Sequence, residues 1–237
     1  GIKMTESITL QEYERIHPST TVLSGGKKLR FWTPNSMTQM RAHSLFGPNR
    51  LMSERETVRW INEMNPGDVF VDIGANVGMY TVYAASKGVR VIAIEPESSN
   101  YAALNRNLRL NDLDDTVITV NAGLSNETKF TKMHMRLDGI GQSCHAVGSA
   151  LLPNGEVFDE SQSRAQTIMS YRLDDLLEVV NENAPTHIKI DVDGIEHLVV
   201  EGMASLLDLA SLKTVLIELD PNHLGHQDIF KIMADGG

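Results

Sequence analysis

The feature that most constrains this chain is a short apolar run ending in a glycine turn. Val69-Phe70-Val71-Asp72-Ile73 leads directly into Gly74-Ala75-Asn76-Val77-Gly78. An apolar run of about four to eight residues stopped by glycines reads as a strand buried on both faces. Residues 80–86 then read as a helix, 89–95 as a second strand, and 117–120 as a third. Between the last two, 98–110 reads as a helix capped by Ser98 or Ser99. A strand at 188–192, a helix at 197–207, a strand at 215–219 and a helix at 227–233 continue the alternation. Such alternation predicts an α/β fold: a doubly wound, mostly parallel, Rossmann-like sheet with helices on both faces.

The flanks are read with fewer signals. Residues 1–52 form an N-terminal extension with short strands, of which 28–33 (KLRFWT) alternates in the required way. The main domain runs over 53–237. It opens on a helix whose Ser53 and Glu56 stand at capping-box spacing and whose Val58, Ile61 and Met64 form a buried stripe, ended by Pro66-Gly67. Residues 138–164 are rich in Gly, Ser, Gln and Asn and break the rhythm. A loop that long inside a compact domain is usually functional, and here it is expected to cover a substrate.

Composition excludes several classes. With 41% hydrophobic and 22% charged residues among 237, the chain is an ordinary globular one. The net charge of -10 opposes phosphate backbones, so no nucleic-acid partner is expected. No apolar run approaches the roughly 20 residues of a membrane span. The single cysteine, Cys144, precludes an internal disulfide and fits a reducing, cytoplasmic compartment.

The glycine turn carries chemistry. Ligands of doubly wound sheets sit at the carboxyl ends of the strands, where Asp72-Ile73-Gly74-Ala75-Asn76-Val77-Gly78 lies. Glycines there let the backbone approach a ligand closely. Glu95 closes the next strand, at the distance in sequence from which an acid reaches a ribose diol. Dinucleotide folds favour G-x-G-x-x-G, whereas Gly74 and Gly78 stand four apart behind Asp72. A carboxylate at Asp72 would repel a pyrophosphate and suit the amino group of a methionine-type cofactor. Gly74, Asn76, Gly78 and Glu95 complete that site, with Asn121 and Ala122, just after the third strand, expected beside the adenine. The competing reading is a tight turn with Asp72 as a cap.

The turn D-I-G-A-N-V-G, the pair Glu95-Pro96, the segment Ile188-Lys189-Ile190-Asp191-Val192-Asp193-Gly194-Ile195-Glu196 and the later Ile217-Glu218-Leu219-Asp220-Pro221 together resemble the FkbM family. These are class I methyltransferases that use S-adenosylmethionine. The resemblance implies O-methylation of a hydroxyl, on a sugar or glycan precursor or on a polyketide-type natural product. A class I fold normally finishes on an antiparallel strand pair. The sequence stops at Asp235-Gly236-Gly237, so that pair is expected to be missing from this chain. The alternatives are a nicotinamide-dependent oxidoreductase, disfavoured by Asp72 and the absent third glycine, and a non-catalytic S-adenosylmethionine-binding module, disfavoured by the intact turn.

Two strands carry charge where a buried strand should be apolar. Ile188, Ile190 and Val192 share one face, and Lys189, Asp191 and Asp193 the other. The class I arrangement implies that this strand neighbours the one holding Glu218. Buried charges are costly unless paired, so Lys189 with Glu218 reads equally well as a structural ion pair. Asp191, nearer the crevice, is expected to centre the deprotonation of the acceptor, helped by Glu196 or His223. Glu196 has a competing role at a helix start, and His226 is a candidate base on the same footing as His223. Proton removal could draw on a raised carboxyl pKa, on His223 as the true base, or on a divalent metal. The metal ranks last, and no metal site is expected.

Overall fold

The computed structural model describes residues 19–24, 26–46, 52–135, 140, 145–147, 164–182, 184–219, 223 and 225–235. Five strands form a parallel sheet: β3 (Val69–Ile73), β4 (Arg90–Ile94), β5 (Val117–Val120), β10 (His187–Ile190) and β11 (Thr214–Ile217), in the order β11-β10-β3-β4-β5. The chain starts in the middle of the sheet, winds outward to β5, then returns to the other side of β3. That reversal places a topological switch between β3 and β10, where ligands of open α/β sheets bind.

The sheet alternates as a doubly covered sheet must. Val69, Val71 and Ile73 bury against one layer with Ile188, Ile190, Val199 and Val200. Phe70, on the opposite face, packs with Val82, Ala84, Ala103 and Leu104. The first layer is built from α5 (Leu173–Val179), α6 (Glu196–Glu201) and α7 (His226–Asp235). The second is built from α3 (Met79–Ser86) and α4 (Ser98–Leu110). Glu97 caps α4, its side chain accepting from the backbone N–H groups of Ser99 and Asn100. The expected cap, Ser98 or Ser99, is therefore inside the helix by one turn position, and a carboxylate does the work next to the helix's positive end.

The N-terminal residues share this core. A hairpin of β1 (Ser19–Ser24) and β2 (Lys27–Trp32) is followed by helices α1 (Ser36–Phe46) and α2 (Met52–Asn62). Leu29, Phe31 and Ala42 are buried in the same cluster as Val58, Ile61 and Phe70. Asn107 of α4 and Asn111, which follows it, hold the hairpin by hydrogen bonds to the backbone of Trp32 and Arg30. The helix expected to begin at a Ser53 cap begins at Met52. Helix α1, which sequence patterning did not reveal, has almost no apolar stripe of its own and is held mainly by its neighbours.

A second sheet stands beside the first, in the order β6-β9-β7-β8. Its strands are β6 (Gly123–Leu124), β7 (Lys129–Met135), β8 (His145–Val147) and β9 (Arg164–Tyr171). β7 and β9 run antiparallel, with Met133 opposite Gln166. The segment 138–164, expected as a long loop, lies outside the described residues except for 140, 145–147 and 164. The helix expected over 197–207 stops at Glu201, followed by a separate 3₁₀ turn over Ala204–Leu206. Gly202 stands at that break, so close to the Ser125 carbonyl that a Cβ would sit 2.1 Å from its oxygen. Among the described residues no antiparallel strand pair follows β11, and no helix is long and apolar enough to cross a membrane.

Candidate active site

The carboxyl ends of β3, β4, β10 and β11 open into one cavity of about 600 Å³. The turn after β3 forms its floor. Gly74 and Gly78 both have positive φ, 77° and 84°. A Cβ on Gly74 would lie 1.8 Å from the Asp191 carbonyl oxygen, so only glycine lets β3 and β10 converge here. Gly78 starts α3 against Leu104, whose Cδ1 would be 2.3 Å from an added Cβ. Gly78→Ala is expected to lower stability by about 1–2 kcal/mol, the left-handed penalty for a residue with Cβ. The Leu104 side chain can yield, so a thermal melt should show a lowered Tm with one cooperative transition.

Glu95 follows β4 at the cavity wall and is buried. One carboxylate oxygen accepts from the Asn76 backbone N–H at 2.8 Å and the other from that of Glu97 at 2.9 Å. Burial pushes the Glu95 carboxyl up to about 8, against those two N–H groups and with added repulsion from Glu97 and Asp193. The folded protein therefore keeps a proton on Glu95 that the unfolded chain releases near 4.5. Stability from this group is full below that value and is lost as pH rises through about 8. Thermal melts should show Tm falling across that window, and Glu95→Gln should flatten the fall.

Asp72 is placed differently from its expectation. It lies behind the cavity wall, fully buried on the α3 face of the sheet. Its Oδ2 accepts from the Thr81 hydroxyl at 2.6 Å, while its Oδ1 lies 3.9 Å from Lys189 Nζ and has no hydrogen bond among the described residues. Burial raises the Asp72 carboxyl more than Lys189 and Thr81 lower it. Of the other expected cofactor residues, Gly74, Asn76, Glu95 and Ala122 line the cavity. Asn121 faces away and uses its Nδ2 to donate to the Glu95 and Pro96 carbonyls, at 2.9 and 3.0 Å.

At the other end of the cavity, charge is concentrated. Lys189 Nζ lies 2.9 Å from Asp191 Oδ2 and 5.3 Å from the centre of the Tyr80 ring. The expected Lys189–Glu218 pair is replaced by Lys189–Asp191, because Asp191 and Lys189 stand two apart on the same face of β10 and its extension. Burial lowers the Lys189 ammonium, but Asp191 and Asp72 outweigh it and hold the lysine above its usual range. Burial would raise Asp191, yet Lys189, a hydrogen bond from Glu218 and the charge of Arg41 hold it below the carboxylate norm. Glu218, exposed at the cavity mouth, is pushed up to about 7 by that hydrogen bond, by the Asp191 charge and by burial. One ammonium thus faces three carboxyl groups: Asp72 and Glu218 are pushed up and Asp191 is held down.

The two expected helpers of Asp191 are not equivalent. Glu196 lines the cavity but is fully engaged: one oxygen meets His226 Nε2 at 2.8 Å and the other accepts from the backbone N–H groups of Val192 and Gly194. His223 is one layer back. It stacks on His226 with ring centres 4.4 Å apart, and its Nδ1 accepts from the Gly225 N–H. His226, not His223, reaches the cavity. Asp220 lies outside the described residues. Sequence reading missed Arg41 of α1 and Met133 of β7, both on the cavity wall; neither stands in a motif, and only the packing of distant segments brings them there.

A parallel sheet of order β11-β10-β3-β4-β5 with a glycine turn after its central strand and an acid closing the next defines the Rossmann-like fold of class I methyltransferases. Residues 72–237 match the methyltransferase FkbM domain, and the chain belongs to that family. Membership implies S-adenosylmethionine as methyl donor. The chain is 26% identical over 188 residues to hexuronic acid methyltransferase AglP of Haloferax volcanii, a match covering 78% of this chain and 70% of AglP. It is 41% identical over 59 residues to 31-O-demethyl-FK506 methyltransferase FkbM of Streptomyces tacrolimicus, covering 24% of this chain and 23% of that one. A solved methyltransferase FkbM from Methylobacillus flagellatus KT superposes with a TM-score of 0.47 at 20% identity, over 73% of this chain and 39% of the solved one. The chain thus spans well under half the length of that solved relative.

Proposed function

We propose that the protein is an S-adenosylmethionine-dependent O-methyltransferase whose acceptor is a hydroxyl on a sugar or glycan precursor, or on a polyketide-type natural product. The observation that carries this reading is the gathering in one cavity of the glycine turn, Glu95 and the Asp191–Glu218 pair. The residues present fit the cofactor. Gly74 lines the cavity at the turn, and the Glu95 carboxyl beside it can exchange hydrogen bonds with ribose hydroxyls. Asp72 serves at one remove by balancing Lys189. The relative named for hexuronic acid favours a sugar acceptor, and the one named for 31-O-demethyl-FK506 favours oxygen as the atom methylated.

The bound cofactor supplies an electrophilic methyl on a sulfonium. The chain's tasks are to align the acceptor oxygen with that methyl and to take the hydroxyl proton. Asp191, held ionised by Lys189, accepts the hydrogen bond of the acceptor hydroxyl. The hydroxyl proton passes to Asp191 and comes to rest on Glu218, its hydrogen-bonded neighbour, which is ionised at the start of this step and whose proton affinity, pushed up to about 7, suits neutral pH. Residues 53–237 carry these groups, and the extension 1–52 closes the acceptor end through Arg41. The test is transfer of labelled methyl from S-adenosylmethionine to a panel of methyl glycosides and methyl hexuronides. Labelled ethers are the expected product. Transfer confined to amines, carboxylates or nucleic acid contradicts the reading.

A further inference from the structure

The second sheet touches the nucleoside end of the cavity through one cross-strand pair. Met133 of β7 and Gln166 of β9 stand opposite each other, so their side chains share a face. Met133 is buried and lines the cavity. Gln166 reaches the turn that follows β4 and uses both ends of its amide there. Its Nε2 donates to the Pro96 carbonyl at 2.8 Å, and its Oε1 accepts from the Ser98 N–H at 3.1 Å. That turn carries Glu95, whose carboxylate is itself fixed by the Glu97 N–H at 2.9 Å. Asn121 grips the same turn from the other side, at the Glu95 and Pro96 carbonyls.

We infer that Gln166 is a positioning residue for the cofactor's ribose: it holds the Glu95–Ser98 turn so that the Glu95 carboxylate faces the cavity. The second sheet is thereby part of the nucleoside pocket and not only a support for the segment between β7 and β9. The inference rests on the cofactor reading above and extends it to an element that contributes no residue to the glycine motif. A glutamine amide suits the task because one planar group can donate to one carbonyl and accept from one N–H two residues on. Without it, the turn loses both of its hydrogen bonds to the second sheet, and Glu95 samples orientations that do not meet the diol.

Calorimetric titration with S-adenosylhomocysteine, and with 5′-methylthioadenosine, which lacks the amino-acid end, tests this. Gln166→Ala and Gln166→Met should each weaken both ligands by the same factor, about tenfold, as befits losing one or two neutral hydrogen bonds. In a Glu95→Ala background the same substitutions should cost nothing further, because Gln166 acts through Glu95. Undiminished affinity in either folded variant overturns the inference, as does an equal loss with and without Glu95. If the unaltered protein binds neither ligand, the cofactor reading itself falls, and this inference with it.

Discussion

Asp191→Asn is expected to lower kcat by about 10²–10⁴-fold, the range for losing a positioned base, with cofactor affinity unchanged. The substitution keeps size and removes charge. Asp191 is fixed from behind, its backbone N–H donating to the Ile73 carbonyl at 3.2 Å. Its carboxylate opens on the cavity. An asparagine there loses the anion that receives the hydroxyl's hydrogen bond and also the anion that sets the proton affinity of Glu218. With that charge gone, Glu218 should titrate lower, so residual activity should rise to its plateau at a more acidic pH than in the unaltered protein. Lys189 keeps Asp72 as a partner, so the variant should fold. Single-turnover rates with labelled S-adenosylmethionine and an accepted glycoside, with and without a chelator, are the measurement. Full activity in Asp191→Asn would remove it from proton transfer. Chelator sensitivity of the unaltered protein would promote a metal over both carboxylates.

Glu95→Ala should weaken S-adenosylhomocysteine by about 5- to 150-fold, the roughly 1–3 kcal/mol of leaving buried hydrogen-bonding partners unsatisfied. The lost groups include more than the ribose contact. Asn76 and Glu97 each lose the acceptor of their backbone N–H, so the glycine turn and the turn after β4 are untied from each other. The loss should therefore fall on the nucleoside half: 5′-methylthioadenosine should weaken as much as S-adenosylhomocysteine. Equal affinity in Glu95→Ala and the unaltered protein would take Glu95 out of the site.

How much of this was legible in the sequence differs by region. The parallel sheet was, because strands buried on both faces write themselves as apolar runs: the 98–110 helix is found as α4, and the strands at 69–73, 90–94 and 187–190 appear within a residue or two of their expected ends. The second sheet was not. β7 and β9 alternate weakly, with Phe130 exposed and Met133 buried in the same strand, and the chain between them runs from 136 to 163, a separation at which local pattern says nothing about partners. Helix α5 was missed because its Leu173, Leu176 and Leu177 follow a strand without a glycine to mark the change.

The site divides in the same way. Gly74 stands in a contiguous motif and Glu95 closes the next strand, so both are legible from spacing. The charged face of β10 was visible as a violation of the apolar rule, but the partner of Lys189 was not: the sequence pairs it with Glu218, whereas the geometry sets Asp191 at 2.9 Å and Asp72 at 3.9 Å. Arg41 and Gln166 reach the cavity or its turns from elements that lie far from the motif, so no spacing could announce them.

The central claim is that the cavity beside the glycine turn holds a methionine-derived nucleoside and not a dinucleotide. The most direct measurement is a calorimetric titration of the unaltered protein with S-adenosylhomocysteine and, separately, with NAD. Saturable binding of S-adenosylhomocysteine, weakened in Glu95→Ala, with no heat from NAD is the predicted result; saturable binding of NAD with none of S-adenosylhomocysteine would contradict it.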